Sequence, residues 1–537
     1  MQGEDLWKRY CGFIEKDFSE QIEYNENKLK EQLKRWMKTK TAKDILKDKK
    51  IEKIDDVPLT EIEDYKIIDY FGKTIEKEIA KNPRRKEELW IDYYTRISER
   101  VKEVIKDYLP YDFSYPIKTT GTTGKSKWIP YTIEAEKITR RTLMALAVIA
   151  CAREWGKTLL RKGDTILSIT APVPYSTGYG MYILSDFLKI FPPPQISDNI
   201  KSIDEKFRII TKALQKGQKV DIIFAFPSIL HMLAQAITEP HKLYFEQYKS
   251  LPLRIAKIAA YLLYLKENLK KREMRKVSDL IKPKGIITGG FDVKLYIDFI
   301  KEEYGVSPAN FYGSTEAGGV MISPPGKPDR LMPLLWAGYW EFMDEREKNV
   351  WKIDELRKGV RYELVASPFG AMFMRHKTGD LFSVADFRDD GMPIFTFEGR
   401  KIEIINIRNY IRLSANMAQD VLKKAGLTNT DKWAVTKIVN GNEKIMFLME
   451  KSWVWDEKMA AKKIFESMKM YEDFRNYIEY FRIKRPEEVI VVKYLKKGAF
   501  ARYTMKKIKK GAPIGQYEPP KVIPPERKDI IEELIED

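Results

Sequence analysis

The sequence predicts an α/β fold: a large domain over residues 1–397, with a mainly helical lead-in over 1–110, then a small α+β domain over 398–537. Three observations carry this prediction. Thr165 to Ile169 and Asp221 to Phe226 are apolar runs without polar alternation, which read as strands covered on both faces. Helical stretches from Ile133 to Trp155 and from Ser228 to Ile237 alternate with them, as parallel strands joined by crossovers do. After Gly399 the elements become smaller in scale.

In the lead-in, apolar positions such as Ile62, Tyr65, Ile68 and Tyr70 are spaced among Lys and Glu, and Pro58, Asp55-Asp56 and Pro110 punctuate the pattern. Leu143 to Ala152 is the most apolar stretch, far short of the roughly 20 residues that span a bilayer, so it predicts a buried helix. The polar, acidic start Met1 to Asp5 is unlike a signal peptide, and a cytoplasmic protein without a membrane partner is expected. In the small domain, Ile402 to Ile407 predicts a strand and Ala415 to Lys424 a helix. Trp433 to Val439 and Ile445 to Leu448 predict a hairpin across Asn440-Gly441-Asn442. The Pro-rich, charged end from Pro519 to Asp537 reads as a tail.

With 44% hydrophobic and 32% charged residues, the 537-residue chain can build a sizeable core and is not a disordered or collagen-like protein. Two cysteines, Cys11 and Cys151, supply no disulfide framework, and His231, His241 and His376 are too dispersed for a histidine-rich metal site. Lys and Arg outnumber Asp and Glu by 96 to 78, a net charge of +18. Such an excess can serve a polyanionic partner, but here both signs interleave, as in Lys47-Asp48-Lys49-Lys50. That dispersion fits surface ion-pair networks of the kind used at high temperature better than a nucleic-acid footprint.

The most informative segment is Thr119-Thr120-Gly121-Thr122-Thr123-Gly124-Lys125-Ser126-Lys127. Its glycines let backbone approach an anion, its hydroxyls donate and its lysines add charge, which is chemistry suited to a polyphosphate. A P-loop would need glycine where Thr119 stands, so this is not one. Alone, it fits an ordinary polar surface loop equally well. Downstream, Tyr312 offers an aromatic face for a purine. Glu316, four residues on, would be repelled by a triphosphate unless a divalent cation lay between. The intervening Gly313-Ser314-Thr315 also fits a simple turn. Asp380, after Gly379, can accept hydrogen bonds from two hydroxyls, or sit in a hairpin turn. His231, Met181, Tyr182, Phe224 and Phe226 read as packing residues before ligand contacts.

Taken in order, the threonine-rich loop, Phe311 to Gly318, Lys377-Thr378-Gly379-Asp380 and Glu398-Gly399-Arg400-Lys401 resemble the adenylate-forming superfamily of acyl and aryl synthetases. Tyr362 to Val365, Met374 to Asp380, Phe395 to Lys401, Asp55 to Thr60, Pro130 to Glu134 and Gly498 to Tyr517 are similar to one branch, the acyl acid amido synthetases. These are the plant auxin-responsive promoter family with its bacterial and archaeal relatives. The resemblance thins over about 155–280. It implies a large adenylate-forming domain with a small mobile lid hinged near Gly399-Arg400-Lys401, and ATP and Mg2+ as cofactors. It implies a small carboxylic acid as substrate and an amino acid, or alternatively coenzyme A, as acyl acceptor. Thr119, Thr120, Gly121, Thr122, Thr123, Gly124, Tyr312, Gly313, Ser314, Thr315 and Asp380 are then nucleotide-binding, Asp380 at the ribose, and Glu316 is the metal residue. Gly289 and Gly290 end a strand-like run, where glycine allows close approach of an adenosine or simply a strand-to-helix turn. Lys125, Lys127, Lys377 and Arg400 take the catalytic charges, though Arg400 also fits the domain bend or a plain surface arginine. Lys377 stands where plant members usually carry Arg, and those two side chains do not bind phosphate alike. Lys506, Lys507, Lys509 and Lys510 fit either a C-terminal catalytic lysine or a solvated helix face, and Glu518 stands where plant relatives show Lys. A non-catalytic nucleotide- or nucleic-acid-binding protein is the alternative from another class.

Overall fold

The computed structural model describes residues 3–47, 49–119, 127–200, 203–238, 258, 262, 276–290, 293–344, 349–401, 404–407, 411–427, 432–440, 442–451, 455–481, 483–509, 520–525 and 527–535. The lead-in is helical, as its spacing predicts. Ile67, Ile68, Phe71 and Ile75 are the buried residues of helix Lys66–Lys81, and they meet Ile91, Ile97 and Val101 of helix Trp90–Ile105. Burying each such side chain contributes about 1.5–3 kcal/mol, which outweighs the few tenths lost to isoleucine's weak helix propensity. Both helices pack on a two-stranded antiparallel ribbon, Phe113–Lys118 with Trp128–Thr132.

A seven-stranded sheet forms the centre. Its strands run in the order Met332–Pro333, Gly318–Ile322, Ala309–Ser314, Gly285–Gly289, Ile222–Ala225, Thr165–Ile169, Lys189–Phe191. The last five are parallel and Gly318–Ile322 turns back antiparallel. Successive residues of a strand face opposite sides. Ile166, Ile222, Phe224 and Ile287 accordingly join the core under helix Ile133–Ala150, while Leu167, Ile169, Ile223 and Ile286 join Phe207, Leu230 and Tyr296 on the other side. Apolar residues are needed on both faces, which explains the unalternating runs. A five-stranded antiparallel sheet follows, ordered Val350–Trp351, Gly338–Asp344, Arg361–Pro368, His376–Phe387, Pro393–Arg400.

The last part of the chain builds a four-stranded sheet with two cores of its own. Trp433–Asn440 and Asn442–Glu450 pair residue for residue across the expected hairpin. Helices Ala415–Lys424 and Glu457–Met468 cover one face, and Ala499–Lys509 with Lys528–Ile535 cover the other. Three local readings need correcting. The end of the chain is no tail: Val522–Ile523 joins the sheet parallel to Val435 and Thr436, and Ile530 and Leu534 are buried. The helix from Ile133 stops at Ala150 because Ala152–Glu154 pairs with Lys157–Thr158. The strand expected from Ile402 is Ile405–Ile407 among the described residues. Cys11 and Cys151 are free and buried. Among the described residues no helix is long and apolar enough to cross a membrane.

Candidate active site

The central and antiparallel sheets meet at Asp380. Tyr312, on the central strand Ala309–Ser314, donates its hydroxyl to Asp380 Oδ2 at 2.5 Å. Arg400 lies opposite Asp380 in the register of His376–Phe387 with Pro393–Arg400, and its Nε donates to Oδ1 at 3.1 Å. Asp380 is therefore inside a long strand and not in a hairpin turn. Thr378 Oγ1 accepts from the Asp380 backbone N–H at 3.1 Å and donates to the Leu364 carbonyl at 3.0 Å, which fixes the strand there. Burial raises the Asp380 carboxyl above the ordinary aspartate value, while the Arg400 guanidinium and the Tyr312 hydroxyl pull it back. The Tyr312 ring is held by Phe382, at 4.7 Å between centroids, and Phe397, at 5.3 Å.

Thr315, Glu316 and Ala317 form the turn from Ser314 into Gly318–Ile322, closed by the Ala317 N–H on Ser314 Oγ at 3.0 Å. A side chain at Gly313 would place its Cβ 2.5 Å from the Gly318 carbonyl oxygen, so this hairpin requires glycine. Burial raises the Glu316 carboxyl, nearby Asp380 adds to this, and Arg400 opposes it. Glu316, Asp380 and Arg400 thus lie within electrostatic reach of one another.

The neck of the threonine-rich loop is closed twice. Thr119 N–H donates to the Lys127 carbonyl and Lys127 N–H to Thr119 Oγ1, each at 2.8 Å. Thr120, Gly121, Thr122, Thr123, Gly124 and Lys125 lie outside the described residues, as do Lys510 and Tyr517. Past the neck, Tyr131 and Thr139 line one cavity with Thr315, Glu316, Phe369 and Phe373, so the ribbon and the hairpin turn converge. Lys127 Nζ is 3.1 Å from Glu63, and Lys377 Nζ is 2.5 Å from Glu61. Both cations are therefore held by acids of the lead-in. Gly289 lies on the neighbouring strand against Phe311, where a Cβ would come within 2.7 Å of that ring, and Gly290 takes a φ of +98°. Packing alone explains glycine at 289. Lys506 and Lys507 both pair with Glu533 of helix Lys528–Ile535.

Some residues of this region escape a reading of motifs. Arg375, with φ +47°, is buried and holds Glu341 through two bonds of 2.9 and 3.0 Å. It also donates to the carbonyls of Asp55, at 3.1 Å, and Val57, at 2.9 Å. The segment near Thr60 and the strand carrying Asp380 are thereby one unit, and Lys377 N–H completes it by donating to the Thr60 carbonyl at 2.8 Å. Glu363 is buried and paired with Lys401 at 3.1 Å. Each stands in a quoted motif, Tyr362 to Val365 and Phe395 to Lys401, but nothing in the sequence marked that they pair.

With that geometry in view, the comparison with solved structures is decisive for the fold. A structure described as AtGH3.15 acyl acid amido synthetase in complex with 2,4-DB superposes with a TM-score of 0.64 at 15% identity, covering 96% of this chain and 93% of that one. A second, GH3.15 acyl acid amido synthetase, gives 0.63 at 16% identity over 94% and 92%. The chain has the fold of an acyl acid amido synthetase. No protein-family model and no curated protein matches it in sequence. The likeness is therefore one of backbone over nearly the whole length.

Proposed function

We propose that the protein uses ATP to adenylate a small carboxylic acid and then transfers the acyl group to an amine, with an amino acid as acceptor. The carrying observation is the convergence of Tyr312, Asp380, Arg400 and Glu316 at one sheet junction, in a chain with the amido synthetase fold. Asp380 accepts the ribose hydroxyls, with Tyr312 beside the base. The loop from Thr119 to Gly124, with Ser314 and Thr315, cradles the phosphates, and Lys125, Lys127, Lys377 and Arg400 offset their charge. Lys127 and Lys377 then exchange Glu63 and Glu61 for phosphate when ATP enters.

In the first step a carboxylate oxygen attacks the α-phosphorus, the bond to the bridging oxygen breaks and pyrophosphate leaves. In the second, the amine nitrogen attacks the acyl carbon, AMP departs with the bond electrons and the nitrogen loses a proton. Mg2+ fits beside Glu316, a desolvated carboxyl close to a second acid. Among the described residues no group of three or more His, Cys, Asp or Glu could hold a metal ion, so phosphate oxygens and water would complete its shell. When bound, the ion would neutralise phosphate charge. Residues 398–537 act as the lid, pivoting at Gly399-Arg400-Lys401.

The test is acid-dependent pyrophosphate release from ATP across a panel of aliphatic and aryl acids, followed by mass analysis of products with amino acids or coenzyme A. Release with some acid and an amide product is expected. No release with any acid would sink the proposal, and a thioester formed only with coenzyme A would correct its second half.

A further inference from the structure

One cation near the sheet is left unused by this reading. Lys206 lies in helix Ile203–Gln215, which packs through Phe207, Ile210 and Leu214 on the central sheet. Its Nζ is 3.5 Å from the Thr170 carbonyl, a polar contact at the limit of a hydrogen bond. Among the described residues no carboxylate pairs with it. Desolvation, with no opposing charge, brings its ammonium down to about 8. Lys206 is half-buried. An ammonium left so is costly unless an anion arrives.

Its place gives that anion a role. Thr170 follows strand Thr165–Ile169 at the carboxyl edge of the parallel strands. Continuing the register of Ile169 with Ala225 and of Phe224 with Ile287 puts Thr170, Phe226 and Gly289 in one row, and Gly289 pairs with Phe311. Three strand spacings separate Thr170 from Phe311, about 14 Å. Tyr312 and Asp380 come next. Ligands of open parallel sheets bind along this edge. The same loop continues to Pro174, whose carbonyl accepts from Lys118 N–H at 3.0 Å beside the neck of the threonine-rich loop. Lys206 therefore stands at the Thr170 end of this row, with Phe311 of the nucleotide strand at the other.

We propose that Lys206 recognises a carboxylate carried by one of the two small-molecule substrates, away from the group that reacts. The inference rests on the proposed acyl transfer, and two sources share this chemistry: a second carboxylate on the acyl acid, or the α-carboxylate of the acceptor. Lysine suits either as a point charge.

Two measurements on the full chain test it. First, acetylation of Lys206 by acetic anhydride at pH 8 is followed by mass spectrometry relative to exposed Lys53. The probes are adipate against hexanoate, and alanine against alaninamide, with ATP present throughout. About tenfold protection by adipate but not hexanoate assigns Lys206 to the acyl acid. Protection by alanine but not alaninamide assigns it to the acceptor. Second, Lys206→Met should raise KM for the protecting substrate about 10- to 100-fold, as loss of a charged hydrogen bond does, with KM for ATP unchanged within twofold. Its Tm should equal or exceed that of the parent, since a desolvated charge is removed. Protection by none of the four probes overturns the proposal. So does an unchanged KM for each substrate, or an equal loss in every parameter including ATP. If the parent releases no pyrophosphate with any acid, the acyl-transfer reading fails, and the labelling experiment still decides whether Lys206 binds carboxylates.

Discussion

Replacing Arg400 by Met tests the electrostatics of the sheet junction directly. The variant leaves Asp380, whose side chain is only 3% exposed, without the guanidinium 3.1 Å away. Two unit charges at that distance interact by about 5 kcal/mol at an effective dielectric constant of 20. Because 34% of the Arg400 side chain is open to solvent, screening reduces the loss to about 2–3 kcal/mol. For a chain of this size that corresponds to a fall in Tm of roughly 2–4 °C. The pH dependence follows from the direction of the Asp380 shift. Burial already raises this carboxyl, and removing Arg400 raises it further. A folded-state value above the unfolded one means that the native protein holds the proton more tightly. Its stabilising effect is complete below the unfolded value of about 4 and is lost as pH rises through the folded value. The deficit of Arg400→Met should therefore be largest at pH 8 and shrink towards pH 5. Scanning calorimetry without nucleotide measures both, and adding Asp380→Asn should recover most of the loss at pH 8, a coupling visible in a double-mutant cycle. An equal deficit at pH 5 and pH 8, with no recovery in the double variant, would refute the reasoning.

Three further outcomes are expected. Glu316→Gln should reduce acid-dependent pyrophosphate release at least 100-fold while Tm holds or rises, since a desolvated carboxyl is neutralised; release at the parent rate would remove Glu316 from the metal role. Gly313→Ala places a Cβ 2.5 Å from a backbone oxygen and should raise KM for ATP and lower stability by about 1–3 kcal/mol, read by urea titration. Arg375→Met strands Glu341, which is buried, and should cost about 3–5 kcal/mol in the same titration. A loss below 1 kcal/mol would show that the clamp on Asp55 and Val57 is dispensable.

The elements that the sequence revealed are those whose stability is local or whose pattern is unambiguous. Thr165–Ile169 matches its apolar run because both faces are covered, and the hairpin at Asn440 matches because its strands are contiguous in sequence. Val522–Ile523 was hidden for the opposite reason: two residues carry no period, and their partners lie some ninety positions earlier. Motifs named Tyr312, Glu316 and Asp380, but not what faces them. That Arg400 sits across from Asp380 depends on two register shifts, at Leu381/Phe382 and Val384/Asp386, which no periodicity discloses. The ion pairs of Lys127 and Lys377 with Glu63 and Glu61 were equally hidden, since they join segments far apart in the chain. Nor could spacing separate Arg375, a structural clamp, from its neighbours in the same motif.

The clamp at Arg375 bears on how this chain can be shortened. Its guanidinium grips two carbonyls on one side of Pro58, and the following turn supplies Glu61 and Glu63. Trimming the first sixty residues to obtain a minimal catalytic fragment would uncap a charged pair inside the antiparallel sheet. A protease cut between Asp55 and Glu63 would therefore be felt at Arg375, 320 positions further along the sequence from Asp55.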